Sequence, residues 1–190
     1  EQDELLVRSP SVMLGYWDNP QATSAIIDKD GWLHTGDQAS MDSTGHVRIT
    51  GRLKEIIVLS NGEKVPPADL ENAILLDSLM EQVMLLGEGM PYLTALVVPD
   101  PEEFKKQAAM LGLDPENAAS CADPRLKKIF LEHAQAQLAS FPGHAKLRDV
   151  VILREPLTPD NGLLTPTLKL RRNRILIRYA DEVKDLYSGH

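Results

Sequence analysis

The chain has 190 residues, 43% of them hydrophobic and 25% charged, and its 20 basic and 28 acidic side chains leave a net charge of −8. That composition supports a buried core in one domain, or in one domain plus part of another, and argues against global disorder. The acidic average opposes long-range attraction to nucleic acid or to an anionic membrane surface.

In chain order, Leu5, Leu6, Val7 and Arg8 predict a short strand, and Asn19-Pro20 predicts the start of a helix running to Ile27. Asp30-Gly31 turns the chain. Strands are expected over 32–35 and 46–50, joined through Gly36-Asp37 and the polar turn Asp42-Ser43-Thr44-Gly45. Such a strand-rich opening exposes sheet edges that need partners, so residues 1–50 are not expected to form a comfortable domain alone. The chain changes character between Gly51 and Val65. Gly51-Arg52 with Lys54 predicts a hinge, because glycine frees the backbone beside a cation. Asn61-Gly62 predicts a hairpin turn between arms over 55–59 and 64–65, because that pair tolerates positive φ.

Beyond the hairpin, Leu70, Ile74 and Leu75 recur at helical spacing over 68–78, and 83–86 and 93–98 predict strands. Pro101 predicts a helix to about Leu111, which the glycine, proline and small residues over 112–122 end. Asp123-Pro124 caps a longer helix with Leu126, Ile129, Phe130, His133 and Ala134 on one apolar face, where His133 is expected to pack rather than to bind a metal. A last strand over 150–153, a polar loop over 158–167 and a basic C-terminal helix complete the α+β pattern.

Apolar runs such as Leu85-Leu86 or 95–98 fall far short of the about 20 residues that span a bilayer. The acidic start, Glu1-Gln2-Asp3-Glu4, has no basic and apolar leader pattern, and no initiator methionine stands there. The expectation is a soluble, cytoplasmic piece of a longer protein. The single cysteine, Cys121, fits a reducing compartment.

Several common signatures fail. Tyr92 stands where a dinucleotide loop beginning at Gly87-Glu88-Gly89 needs its third glycine. Val58 replaces the first glycine of a nucleophile elbow around Ser60. His34, His46, His133, His144 and His190 lack a metal-binding spacing, so no structural metal is expected. Three polar clusters remain: Thr35-Gly36-Asp37, then Gly51-Arg52 with Lys54, then the loop from Asn161 to Lys169. A carboxylate on a glycine turn can accept two hydrogen bonds from a vicinal diol, and a lysine on a loop can neutralise developing phosphate charge. Each cluster alone also fits a bland role: a turn-stabilising Asp37, a surface hairpin, and a solvated basic face running from Lys169 through Arg171, Arg172, Arg174 and Arg178.

Together the runs Gly31-Trp32-Leu33-His34-Thr35-Gly36-Asp37, Gly51-Arg52-Leu53-Lys54-Glu55 and Leu163-Leu164-Thr165-Pro166-Thr167-Leu168-Lys169 closely resemble adenylate-forming enzymes of the acyl-CoA synthetase superfamily. Their spelling is most like the long-chain fatty acid CoA ligases, and three motifs in order over nearly the whole chain are specific. The resemblance implies that residues 1–51 are the strand-rich end of the large AMP-binding domain and 52–190 the mobile C-terminal domain, a compact α/β unit with its sheet flanked by helices. It further implies that Asp37 holds the ribose of ATP with help from Arg52, and that Lys54 is the hinge residue. Lys169 would support adenylation, and Ser60, Asn61 and Gly62 would line the CoA channel.

By the same resemblance the parent is an AMP-forming ligase acting on a fatty acid, ATP and CoA. Mg²⁺ would be held by the absent part of the large domain, and a peripheral membrane association of the parent is compatible. The phosphate loop and acyl pocket of such enzymes are absent, so the chain alone is expected to be inactive. The alternatives are an acyl-AMP ligase, a carrier-protein adenylation module, or a non-enzymatic module that binds a phosphate ligand through the basic tail.

Overall fold

A computed structural model describes residues 3–53 and 55–188 and divides the chain into two compact units, Glu1–Ile56 and Ile57–His190. The expected α+β class holds. In the first unit, β1 (Glu4–Val7), β2 (Leu33–Met41) and β3 (Val47–Arg52) form an antiparallel sheet in that order. Helix α1 (Pro20–Ile26) starts at Asn19, whose side chain accepts the Ala22 N–H, with Pro20 supplying the first helical φ.

Two expectations in this unit are corrected. Gly36-Asp37 does not end the strand: β2 runs through it, because Glu4 Oε1 accepts the Gly36 N–H at 2.9 Å and Thr35 Oγ1 donates to the Leu5 carbonyl at 2.7 Å. β1 thereby holds the segment in the sheet, and the irregularity is absorbed as a register shift between Gln38 and Ala39. Gly51 likewise does not turn the chain but lies inside β3 opposite Gln38. Among the described residues before Ile57 none is fully buried, while Leu14, Trp17, Met41, Val47 and Ile49 are exposed.

The second unit carries the core. The hairpin β4 (Ile57–Val58) and β5 (Lys64–Val65) leads through Pro66 into α2 (Pro67–Ile74). The main sheet has the order β6 (Met80–Leu86), β7 (Leu93–Pro99), β8 (Leu147–Ile152), antiparallel at the first pair and parallel at the second. The parallel pair requires a long crossover, supplied by α3 (Pro101–Met110), a 3-10 turn (Ala118–Ala122) and α4 (Pro124–Gln137). Helices α5 (Arg172–Arg178) and α6 (Ala180–Asp185) follow.

Both faces of this sheet are covered, which is why β6 and β7 are almost continuously apolar. Val83, Leu85, Ala95 and Val97 meet Leu70, Ile74, Leu126 and Phe130 on one side. Met84, Leu86, Leu96 and Val98 meet Leu157, Leu163, Leu164 and Ile175 on the other.

The remaining element boundaries shift. α2 stops at Ile74 rather than Ser78, and β6 and β8 begin three residues earlier than expected. The basic C-terminal helix is broken at Tyr179, where the backbone leaves helical geometry (φ −109°, ψ 32°). His133 is not packed in the apolar face: its side chain is half-exposed and its Nδ1 lies 2.9 Å from Asp77 Oδ2, while Leu126, Phe130 and Ala134 form the buried stripe of α4. An imidazole can reach water and a carboxylate at once, which a buried position would deny it.

Candidate functional site

Asp37 and Arg52 sit directly opposite each other on β2 and β3, and Arg52 Nε donates to Asp37 Oδ1 at 2.9 Å. The carboxylate is partly buried and the guanidinium more than half exposed, so the pair contributes little to stability and its donors can be redirected. Asp37 Oδ2 accepts no hydrogen bond among the described residues, and the Asp37 N–H is held by Thr35 Oγ1 at 3.1 Å. Arg52 borders a cleft of about 520 Å³ that His34, Thr35, Gly36 and Glu4 also line. Glu4 is fixed there from both sides, by Gly36 N–H and by His34 Nδ1 at 3.0 Å. The His34 contact is the largest influence on the Glu4 carboxyl and holds it below its ordinary value, with burial opposing and the Gly36 N–H adding.

Ser60, Asn61 and Gly62 form the tip of the β4–β5 hairpin. Gly62 N–H donates to Leu59 O at 2.8 Å and Leu59 N–H to Glu63 O at 2.9 Å, with Gly62 at φ +86°. This is a three-residue loop in which only Gly62 takes positive φ, not the two-residue turn with both positions positive that Asn61-Gly62 suggests. Asn61 instead uses its side-chain oxygen to accept the Glu63 N–H at 3.0 Å.

The hairpin is seated on the β6–β7 loop. Gly89 N–H donates to Val58 O, Ser60 N–H to Met90 O, and Val58 N–H to a Glu88 carboxylate oxygen at 2.8 Å. Gly87 makes the close approach: a Cβ there would stand 2.7 Å from Leu93 Cδ2, 3.1 Å from Leu59 Cδ2 and 3.2 Å from Ile57 Cγ2. Leu93 is fully buried and cannot swing away. Gly87→Ala is therefore expected to destabilise the unit by about 1–3 kcal/mol, as overpacking does. Denaturant unfolding checks this, and a change under about 0.5 kcal/mol would show that the hairpin yields freely.

Lys169 lies at the end of a tight turn in the same unit. Thr165 N–H donates to Lys169 O at 2.8 Å, Lys169 N–H to Thr165 Oγ1 at 3.1 Å, and Leu164 bridges to Leu170. Leu168 takes φ +61°, a conformation that a residue bearing a Cβ adopts at a cost of about 1–2 kcal/mol. The Lys169 side chain is exposed and makes no ion pair among the described residues.

The structure thus brings Asp37 and Arg52 together and groups Ser60, Asn61 and Gly62. It places Lys169 on a separate loop of the second unit. The hinge assignment to Lys54 lies outside the described residues. Sequence reasoning missed a basic cleft of about 600 Å³ beside the hairpin, lined by Asn61, Tyr92, His144, Lys146 and Arg148. His144 Nδ1 also lies 3.5 Å from the Glu63 carboxylate of the hairpin. The available signal was the close spacing of three basic residues at 144, 146 and 148, of which the structure puts His144 in a 3-10 turn (Gly143–Ala145) and Arg148 on β8. Among the described residues no group of three or more His, Cys, Asp or Glu side chains is arranged to hold a metal ion, and no helix is long and apolar enough to cross a membrane.

A small α/β unit with a hairpin at its start and an exposed lysine loop near its end, preceded by a sheet bearing an Asp–Arg pair, has the C-terminal fold of adenylate-forming enzymes. The chain belongs to the family of AMP-binding enzyme C-terminal domains, whose model matches residues 54–190. Its similar proteins include fatty-acid CoA ligases. FadD15, a long-chain-fatty-acid–CoA ligase of Mycobacterium tuberculosis, is 38% identical over 99% of this chain and 32% of its own length. Long-chain-fatty-acid–CoA ligase 5 of Rattus norvegicus is 33% identical over 99% and 28%, respectively. The chloroplastic AEE15 of Arabidopsis thaliana, a long-chain-fatty-acid–[acyl-carrier-protein] ligase, is 33% identical over 96% and 25%.

Among solved structures, the adenylation domain of a carboxylate reductase from Mycobacterium chelonae matches with a TM-score of 0.84 at 28% identity, covering 98% of this chain and 28% of that one. The A domain of the carboxylic acid reductase from Segniliparus rugosus, in complex with AMP and a co-purified carboxylic acid, matches at 0.82 and 26%, covering 97% and 28%. The chain spans about a third or less of the length of these relatives.

Proposed function

We propose that the chain is the C-terminal portion of an AMP-forming long-chain fatty acid–CoA ligase, with residues 1–51 closing the large AMP-binding domain and 52–190 forming the mobile domain. In the first half-reaction the fatty carboxylate attacks the α-phosphate of ATP, the bond to pyrophosphate breaks, and an acyl-adenylate forms. In the second the CoA thiol attacks the acyl carbonyl and AMP leaves. Asp37 accepts the ribose hydroxyls through the oxygen that Arg52 does not use, and Arg52 keeps the other oxygen in register. Lys169 offsets charge developing on the phosphates, Lys54 carries the rotation between the half-reactions, and the Ser60-Asn61-Gly62 tip lines the thiol channel.

The observation that carries the choice of CoA as acceptor is the basic cleft beside Asn61. Lys146 and Arg148 place two cations, with the His144 imidazole beside them, next to the hairpin, which suits the phosphates of CoA. An acyl carrier protein is the second reading, favoured by the likeness to a relative named for that acceptor.

The full-length protein, given palmitate and ATP, is expected to release pyrophosphate and to form the thioester with CoA in preference to holo acyl carrier protein. Transfer to the carrier protein alone would overturn the CoA assignment. Failure to form any hydroxylamine-trappable adenylate from a series of fatty acids would overturn the ligase reading. The isolated 190-residue chain is expected to show no turnover, because Asp37, Arg52 and Lys169 supply only part of a nucleotide site. Measurable thioester formation by the purified chain would contradict that.

A further inference from the structure

β6 is the outer strand of its sheet, and at Leu85 it turns a backbone N–H and C=O away from β7. Such edge groups ordinarily need a strand, a helix or water. Here one ion pair takes both. Glu71 Oε1, from α2, accepts the Leu85 N–H at 2.7 Å, and Arg172 Nη1, from the first residue of α5, reaches the Leu85 carbonyl at 3.4 Å. Arg172 Nη2 meanwhile donates to both Glu71 oxygens, at 2.8 and 2.7 Å. The side chain of Glu71 is only 10% exposed and that of Arg172 23%. The pair therefore acts in a low-dielectric setting where removing either partner strands the other.

The place of this clamp gives it a further role. Arg172 lies three residues after Lys169, and the lysine turn is itself a closed unit: Arg171 N–H donates to Leu163 O at 2.9 Å, and the Thr165 and Lys169 backbones are joined as described. Leu163, Leu164 and Ile175 press the segment against the sheet, but apolar contact is non-directional and does not set rotation. A planar guanidinium bonded to a carboxylate and a backbone carbonyl does.

We propose that Glu71 and Arg172 are positioning residues for adenylation, their ion pair over the β6 edge at Leu85 setting the orientation of the Lys169 turn. The proposal rests on the reading of Lys169 as the adenylating lysine. Neither residue touches substrate in this account; both act through the turn.

The test uses the full-length enzyme with Arg172→Lys, which keeps the charge and loses the fork, and Glu71→Gln, which keeps the shape and loses the charge. Arg172→Lys is expected to lower kcat for adenylation by on the order of tenfold, with a smaller change in KM for ATP, since misplacing a catalytic group costs rate before binding. Glu71→Gln is expected to lower the same kcat at least as much. In Arg172→Lys, amide exchange over 163–171 should quicken, while thioester formation from supplied acyl-adenylate stays near the parent rate. In a Lys169→Ala background Arg172→Lys should add no further loss, because the group it orients is gone.

Wild-type adenylation with unchanged exchange in Arg172→Lys would overturn the proposal. So would an equal loss of both half-reactions in that variant, which marks a general folding defect, or a full additional loss in the Lys169→Ala background. If Lys169→Ala itself adenylates normally, the reading of the lysine falls and this proposal with it. That outcome is distinct from failure of the clamp alone, in which Lys169→Ala is impaired and Arg172→Lys is not.

Discussion

Lys169→Ala in the full-length ligase is expected to slow adenylation by on the order of a hundredfold or more, because removing a cation from developing phosphate charge costs about 3 kcal/mol of transition-state stabilisation. The substitution isolates that charge. The backbone of the turn is held by Thr165 and by the Leu164–Leu170 bridge, none of which uses the ammonium, so the loop should keep its shape. Leu168 at φ +61° shows that the turn is maintained against a local backbone preference, as functional loops often are. Thioester formation from supplied acyl-adenylate should survive within several-fold, since that step moves no pyrophosphate. Lys169→Arg should recover only part of the rate, because a planar fork does not place its charge where a compact ammonium does. Pyrophosphate exchange and single-turnover transfer, assayed separately, check this. Equal loss in both half-reactions would remove the assignment.

The parts of the fold that were legible in the chain are those whose cause is local. β7, and β6 from Val83 onward, read correctly because both faces are buried and the run is almost entirely apolar. α4 read correctly because Asp123 and Pro124 mark its start and Leu126, Phe130 and Ala134 repeat at helical spacing. What failed depends on groups distant in sequence. β2 continues through Gly36 because the Glu4 side chain reaches it across a separation of 32 residues, and no local pattern announces that. His133 left the apolar face because Asp77, 56 residues away, offers it a partner at the surface.

The candidate site divides the same way. Asp37, Arg52 and Lys169 could be named only through resemblance, since each is an unremarkable polar residue in its own neighbourhood. Their local geometry then proved informative: the Asp–Arg contact leaves one carboxylate oxygen available, and the lysine stands on a strained turn. The clamp was invisible because Glu71 follows the buried Leu70 on α2 and pairs with an arginine 101 residues later, inside what reads as a solvated basic face.

Lys54→Pro in the full-length enzyme is expected to uncouple the two half-reactions, with acyl-adenylate accumulating while CoA transfer falls steeply. The segment joins two units that divide at Ile56 and Ile57, and the family of C-terminal domains begins to match at residue 54. Its flanks are tied down: Leu53 N–H donates to Gly36 O at 2.9 Å, and Glu55 N–H to Arg52 O at 3.0 Å. A rotation between the half-reactions about residue 54 would have to release the Glu55–Arg52 hydrogen bond and be absorbed over the few residues between Leu53 and Ile57. Proline fixes φ near about −65° and also restricts the residue before it, here Leu53. One orientation is then trapped. If it is the adenylating one, the Asn61-Gly62 tip no longer reaches the channel that the thiol must use. Lys54→Ala is the control that separates rotation from charge: it removes the ammonium and leaves φ free, so both half-reactions should stay within several-fold of the parent. Stopped-flow measurement of each step in both variants decides the matter, because an alanine variant as slow in CoA transfer as the proline variant would show that Lys54 acts through its charge and is not the hinge.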